Sequence, residues 1–286
     1  MRARLQEIKE KHGVYFIAEL GQNHQGSLAI AKQMIDSLIG SGVAAVKTAK
    51  RDIDVCLTEE QKQMIYDNSN SFGHTYYEHR KALELSMSDF RELKYYAESK
   101  GFDFISSFTD LPSLEFLCNI DTKILKIASQ RLADWELLKE TAQKNKPIII
   151  SSGMSSIDDV DKVMEIFKYN QKYLLQCTAS YPCAEENINL NVINTFRQRY
   201  ITDGFGLSGH HTGIAPDIAA YCMGVDIIER HYTLRRDMKG TDHAASLELS
   251  GVKYIMKYIN EIRQAMGTNE KMVLNCELSA IKKLRK

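Results

Sequence analysis

The chain has 286 residues, 44% of them hydrophobic, and its 37 basic and 37 acidic side chains give a formal net charge of zero. That length can bury one large core, and the charge balance argues against a general nucleic-acid or membrane-surface binder, for which a basic excess is expected. No apolar run approaches the roughly 20 residues that span a bilayer, and the opening MRARLQEIKEKHG lacks the apolar stretch of a secretory signal.

In chain order, eight short apolar runs read as strands: VYFIAEL (14–20), AAVKTAK (44–50), FDFISS (102–107), ILKIAS (124–129), PIIISSG (147–153), YLLQCT (173–178), GFGLSGH (204–210) and VDIIERHYT (225–233). They are apolar on both faces and rich in Ile and Val, as buried parallel strands are. Helical patterns lie between them. Leu28, Ala31, Ile35 and Leu38 recur at helical spacing, and Gly40 and Gly42 can end that helix. SMSDFRELKYYAESKG opens with Ser86 or Ser88 as a cap and closes at Gly101; SSIDDVDKVMEIFKYN opens with Ser155 or Ser156. Eight strand–helix units predict an α/β fold, a (β/α)8 TIM barrel occupying residues 1–286 as one domain. An open doubly wound sheet is the alternative.

Residues 51–87 break the rhythm, with far more chain than one helix connection needs. Long barrel loops usually carry function, although a surface excursion reads the same way. The six cysteines, Cys56, Cys118, Cys177, Cys183, Cys222 and Cys276, form no CxxC pair. Neither a zinc ribbon nor a disulfide framework is indicated, and a reducing cytoplasm is the expected compartment.

In a TIM barrel the active site lies at the C-terminal ends of the strands. Those ends here carry Glu19, Lys47, Ser107, Lys126, Ser129, Ser151, Thr178, Tyr181, Ser208, His210, Glu229 and His231. A lysine within an apolar strand is costly unless paired. Lys47 and Lys126, ringed by strand-end serines, therefore predict a carboxylate or phosphate ligand. His210 and His231 end neighbouring strands and could offer nitrogens to one divalent ion, with water and Glu19 or Asp242 completing the shell. Such an open N/O site suits Mn²⁺, with Mg²⁺ or Co²⁺ as alternatives. His211 reads as a bystander, and His24 as structural or substrate-facing.

The ordered motifs FIAELGQNHQGSLAIAKQMI, LKIAS, PIIISSGMSSIDDV, LLQCTASYP, GLSGHHTGIA, IERHYTL and KGTDHAASLE resemble the barrel domain of the sialic acid synthases, and most of all the animal members that use a 6-phosphorylated sugar. The resemblance runs from about Tyr15 to Leu284. It implies condensation of phosphoenolpyruvate with a mannosamine-type or phosphorylated aldose, releasing phosphate and giving a 2-keto-3-deoxy sugar acid. It also implies metal ligation by His210 and His231, phosphoenolpyruvate contacts from Lys47, Ser107, Lys126, Ser129, Ser151 and Ser208, and sugar contacts from Tyr77, Tyr181 and Asp242. Glu19 and Glu229 join the histidines as catalytic candidates, Glu229 or the metal delivering the water that attacks C2. Two alternatives are a 3-deoxy-octulosonate- or heptulosonate-type synthase and a non-catalytic barrel acting as a binding subunit.

The sequence departs from the family pattern in three places. KIASQR puts Arg131 where a carboxylate usually holds sugar hydroxyls, and Gln130 where a glycine is usual. VKTA puts Ala49 where a polar sugar contact is usual. The antifreeze-like domain that follows the barrel in typical members is not found in these residues. A guanidinium only donates hydrogen bonds, so Arg131 predicts a preference for a phosphorylated or acidic aldose. A homodimer is a further implication of the resemblance.

Overall fold

The computed structural model describes residues 1–286. Eight parallel strands close in sequential order into a barrel: β1 Tyr15–Gly21, β2 Ala45–Lys50, β3 Asp103–Phe108, β4 Ile124–Ile127, β5 Ile148–Ser151, β6 Lys172–Cys177, β7 Gly204–Gly209 and β8 Ile227–His231. All eight expected strands are present, and the closed ring with β1 paired to β8 replaces the open-sheet alternative. Most observed strands are shorter than their apolar runs. β4, for example, stops at Ile127 because the chain enters a 3₁₀ turn over Ser129–Arg131.

The helices are α1 Arg2–His12, α2 Leu28–Ser37, α3 Ile53–Cys56, α4 Glu59–Gln63, α5 Tyr76–Ala82, α6 Met87–Ser99, α7 Leu111–Asn119, α8 Trp135–Gln143, α9 Ile157–Ile166, α10 Val192–Arg199, α11 Ala215–Cys222, α12 Leu249–Met266 and α13 Leu278–Leu284. Ser86 caps α6 and Ser156 caps α9, each hydroxyl accepting from a backbone N–H one turn on. The opening segment, to which sequence assigns no element, is α1. Its Leu5 and Ile8 pack with Tyr15, Ile17, Ile105, Ile149, Tyr173 and Ile227 and close the N-terminal end of the barrel. A larger apolar layer lies between the strands and the outer helices. No helix is long and apolar enough to cross a membrane.

Strand alternation decides which residues face the barrel axis. On β2 the inward row is Lys47, Ala49 and, just past the strand, Arg51. On β8 it is Glu229 and His231, while Arg230 points out between them. Register then sets these rows at matching heights: Glu19 pairs with Lys47 and with His231, Ser107 with Lys126, and Ser208 with Glu229.

The 51–87 segment is folded rather than open loop. It holds α3, α4 and α5, with an antiparallel bridge between Ile65 and Thr75 and a Thr75–Glu78 capping box opening α5. Gly26, at φ 72°, seats this excursion against the first strand loop: a Cβ there would stand 2.1 Å from the Ala82 carbonyl oxygen. At the other end the Lys50 ammonium donates to Glu84, at 2.9 Å, and to the Leu85 carbonyl, at 3.0 Å. The C-terminal turn of α5 thus lies over the barrel mouth.

Candidate active site

One cavity at the C-terminal mouth is lined by Glu19, Lys47, Ser107, Lys126, Ser129, Ser151, Tyr181, Ser208, His210, Glu229, His231 and Asp242. Twelve of the fifteen candidate residues read from the sequence therefore meet in one place. The other three, Thr178, Tyr77 and Arg131, do not line it.

The lysines are already paired. The Lys47 ammonium forms an ion pair with Glu19 and lies 4.0 Å from Glu229, while Lys126 lies 3.8 Å from Glu229. Lys126 also donates to Ser151 Oγ at 2.5 Å. Burial alone therefore does not require an anionic ligand, because the carboxylates of β1 and β8 meet the need for partners. Burial pulls the Lys47 ammonium down, but Glu19 and Glu229 outweigh it and leave its pKa raised. Burial wins for Lys126, whose pKa is lowered despite Glu229. Glu229 is pushed up by burial and pulled further down by Lys126 and Lys47, so it is ionised. Its Oε1 accepts from Ser208 at 3.3 Å, whereas Oε2 is hidden from solvent with no partner.

His210 and His231 stand with ring centroids 5.4 Å apart. His210 Nδ1 donates to the Thr178 carbonyl at 2.9 Å, which fixes the tautomer and leaves Nε2 with a free lone pair. The His231 Nδ1 is hidden and unpartnered, 3.9 Å from an Asp242 oxygen. Burial lowers the His231 pKa, which favours the neutral, ligating form. Tyr181 covers both rings, with centroids 4.1 Å from His210 and 5.8 Å from His231. Gly21 makes room for this: at φ 52°, a Cβ there would crowd the His231 ring and Asp242. No group of three or more His, Cys, Asp or Glu side chains forms a cage. The donors fit an open site with two protein nitrogens, not a closed one.

Two expectations are corrected. Tyr77 is turned out of the cavity, its hydroxyl donating to Asp54 at 2.9 Å. Its neighbour Tyr76 lines the cavity together with Arg80. One residue on a helix is a rotation of about 100°, so Tyr76 and Arg80 share a face that Tyr77 does not. Arg131 also leaves the cavity and lies 3.5 Å from Asp134. The 3₁₀ turn aims Ser129 and Gln130 inward and sends Arg131 away.

Sequence reading missed Gln22, Arg51, Tyr76, Arg80, Met154, Cys177 and Ala179 as lining residues. The Arg51 signal was there, since it continues the period-two row of Lys47 and Ala49. The Cys177 thiol accepts from Ser129 Oγ at 3.4 Å, and nothing in its spacing marks it out. His24 proves structural, its Nδ1 accepting from the Gly26 N–H at 3.1 Å.

A closed (β/α)8 barrel with buried lysines, carboxylates and histidines converging at its C-terminal mouth is an enzyme scaffold with its active site in the usual place. Residues 34–271 match the model of the NeuB family. The chain is 37% identical to human N-acetylneuraminate-9-phosphate synthase, over 96% of this chain and 77% of that one. It is 32% identical to the N,N'-diacetyllegionaminic acid synthase of Campylobacter jejuni, over 94% of this chain and 82% of that one. Among solved structures, the sialic acid synthetase of Leptospira borgpetersenii in complex with citrate superposes with a TM-score of 0.82 at 29% identity, covering 94% of this chain and 90% of that one. The chain belongs to the NeuB family.

Proposed function

We propose that the barrel mouth joins C3 of phosphoenolpyruvate to the aldehyde carbon of a mannosamine-type or phosphorylated aldose, with the roles below for individual residues. The coarser activity follows from family membership: the protein is an enzyme that condenses phosphoenolpyruvate with a sugar to give a keto-deoxy sugar acid. The observation that carries the finer reading is the convergence of Lys47, Lys126 and four serines opposite His210 and His231 in one cavity.

Lys47, Lys126, Ser107, Ser129, Ser151 and Ser208 hold the phosphate and carboxylate of phosphoenolpyruvate. That fixes one face of the enol double bond toward the aldehyde and supplies proximity. The enol ether is a weak nucleophile, so the aldehyde must be made electrophilic. His210 and His231 hold a divalent metal, of which Mn²⁺ suits the donors best, and when bound it supplies Lewis-acid polarisation of the aldehyde oxygen. Tyr181 and Asp242 contact the sugar.

As the C3–C1 bond forms, positive charge develops at C2. Glu229 is ionised and lines the cavity, so it can take a proton from the water that attacks C2. The C2–O bond to phosphate then breaks and the keto acid remains. The negative charge of Glu229 in the cavity wall would also favour a cationic C2 centre.

The test is phosphate release from phosphoenolpyruvate with metal and a panel of aldoses, with product mass spectrometry. A product of donor plus aldose less phosphate supports the reading. Metal and donor binding with no release for any aldose would instead favour a binding subunit.

A further inference from the structure

The aldose side of the cavity carries two guanidiniums that neither the donor chemistry nor the metal uses. Arg80, on α5, is packed beside Tyr76, its guanidinium carbon 5.8 Å from the ring centroid. No carboxylate pairs with it. Its Nη1 donates to the neutral Gln22 Oε1 at 2.7 Å, and Gln22 in turn reaches Asp242 only at 3.5 Å. Arg51, at the end of the inward row of β2, shares Glu84 at 3.5 Å with the Lys50 ammonium, and its own Nε is hidden with no partner. Both guanidiniums line the same cavity, and burial together with the like charge of Arg51 lowers the Arg80 pKa.

Two neighbouring guanidiniums, one without a counter-ion and one sharing its own, are unfavourable until an anion joins them. The cavity lining holds four strong cations, Lys47, Arg51, Arg80 and Lys126, against three carboxylates, Glu19, Glu229 and Asp242. The lysines serve the donor at the depth of the strand ends. Arg51 lies four residues beyond Lys47, about 13 Å farther up at the rise of a strand. An aldose whose aldehyde faces the donor must place its far end at this rim.

We infer that Arg51 and Arg80 form an anion subsite for a phosphate on the far end of the aldose. Arginine suits this task, because its planar fork meets phosphate oxygens in pairs. Ala49 fits the same picture: the small side chain between Lys47 and Arg51 leaves the sugar body room to bridge the two ends. This inference rests on the condensing reading above and names its substrate class. The acidic preference expected from Arg131 is thus assigned to two different arginines.

The test compares a mannosamine-type aldose with its 6-phosphate, using wild type, Arg51→Gln, Arg80→Gln, the double variant and Arg80→Lys. Wild type should show a KM at least 10-fold lower for the 6-phosphate. Each Gln variant should raise that KM about 10-fold or more while leaving the phosphoenolpyruvate KM within about twofold, and Arg80→Lys should recover part of the loss. The double variant should no longer discriminate. Equal KM values for both sugars in wild type, or discrimination that survives in the double variant, would overturn the subsite. If no aldose releases phosphate, the condensing reading fails, and calorimetric titration of the same two sugars decides the subsite separately. Tighter binding of the 6-phosphate that vanishes in the double variant supports it; equal binding overturns it.

Discussion

The Lys126 ammonium lies 3.8 Å from a Glu229 carboxylate oxygen, with both side chains almost fully buried. With the Lys47–Glu19 pair beside it, this makes the floor of the cavity nearly neutral before any substrate arrives. An anionic donor must therefore compete with built-in carboxylates for the same two ammonium groups. A cation on the histidines would relieve that competition.

The first prediction follows from this balance. Glu19→Gln removes the carboxylate that occupies Lys47, so metal-free protein should bind phosphoenolpyruvate more tightly than wild type does, by about tenfold or more. Lys126→Ala should act in the opposite direction and weaken binding by about 2–5 kcal/mol, since it also strands Glu229. Isothermal calorimetry measures both. Unchanged affinity in the two variants would rule out a shared anion floor.

The second prediction concerns the histidine pair. His210 is held by the Thr178 carbonyl, and His231 by its place in β8. Metal analysis after dialysis against Mn²⁺ should find about one ion per chain, lost in His231→Ala and in His210→Ala. Full retention in the double alanine variant would remove the histidines from any metal site.

The third prediction lies just outside the cavity. Arg230, between Glu229 and His231 on β8, points outward into a buried network. It pairs with Asp217 of α11, and its Nη1 lies 2.7 Å from His211 Nε2. The neighbours of both candidate metal ligands are thereby tied together behind the barrel wall. Asp217→Ala leaves Arg230 charged and buried without its counter-ion, held only by the Gly213 and His211 carbonyls, which should cost about 3–5 kcal/mol and lower Tm by many degrees in a thermal melt. A melt unchanged by Asp217→Ala would show the network to be idle.

The barrel and most of its site were legible because both follow from short-range rules. Buried parallel strands leave continuous apolar runs, and a polar residue at the end of such a run can point only into the mouth or away from it. Lys126, Ser208 and Glu229 were found in that way. The errors came where direction depends on an irregular turn. Arg131 sits third in a 3₁₀ turn, and Tyr77 sits one residue off the inward face of α5; residue type alone does not reveal either rotation. Arg80 was invisible for another reason. Its place over the cavity depends on the 51–87 excursion folding back against Gly26, a contact between distant segments that no local pattern encodes.

The last prediction is a pH dependence set by His24. This side chain is only 3% exposed, and its Nδ1 accepts the Gly26 N–H in the turn that seats α5. Protonation would destroy that acceptor and bury a charge. Burial, helped by the charge of Arg51, lowers its pKa from 6.5 to about 4. In the unfolded chain the imidazole takes up a proton near pH 6.5, whereas in the folded protein it resists until about pH 4. The unfolded state thus binds more protons across this window, and stability falls as pH drops through it. The contribution is fully present above about pH 6.5 and is lost progressively toward pH 4, by about 3 kcal/mol in total. His24→Asn offers an oxygen acceptor near the Nδ1 position and cannot titrate. Urea denaturation at pH 7 should find His24→Asn no more stable than wild type, while between pH 6.5 and 4.5 wild type should lose stability more steeply than the variant. Parallel pH profiles for the two proteins would show that His24 does not control the acid limb.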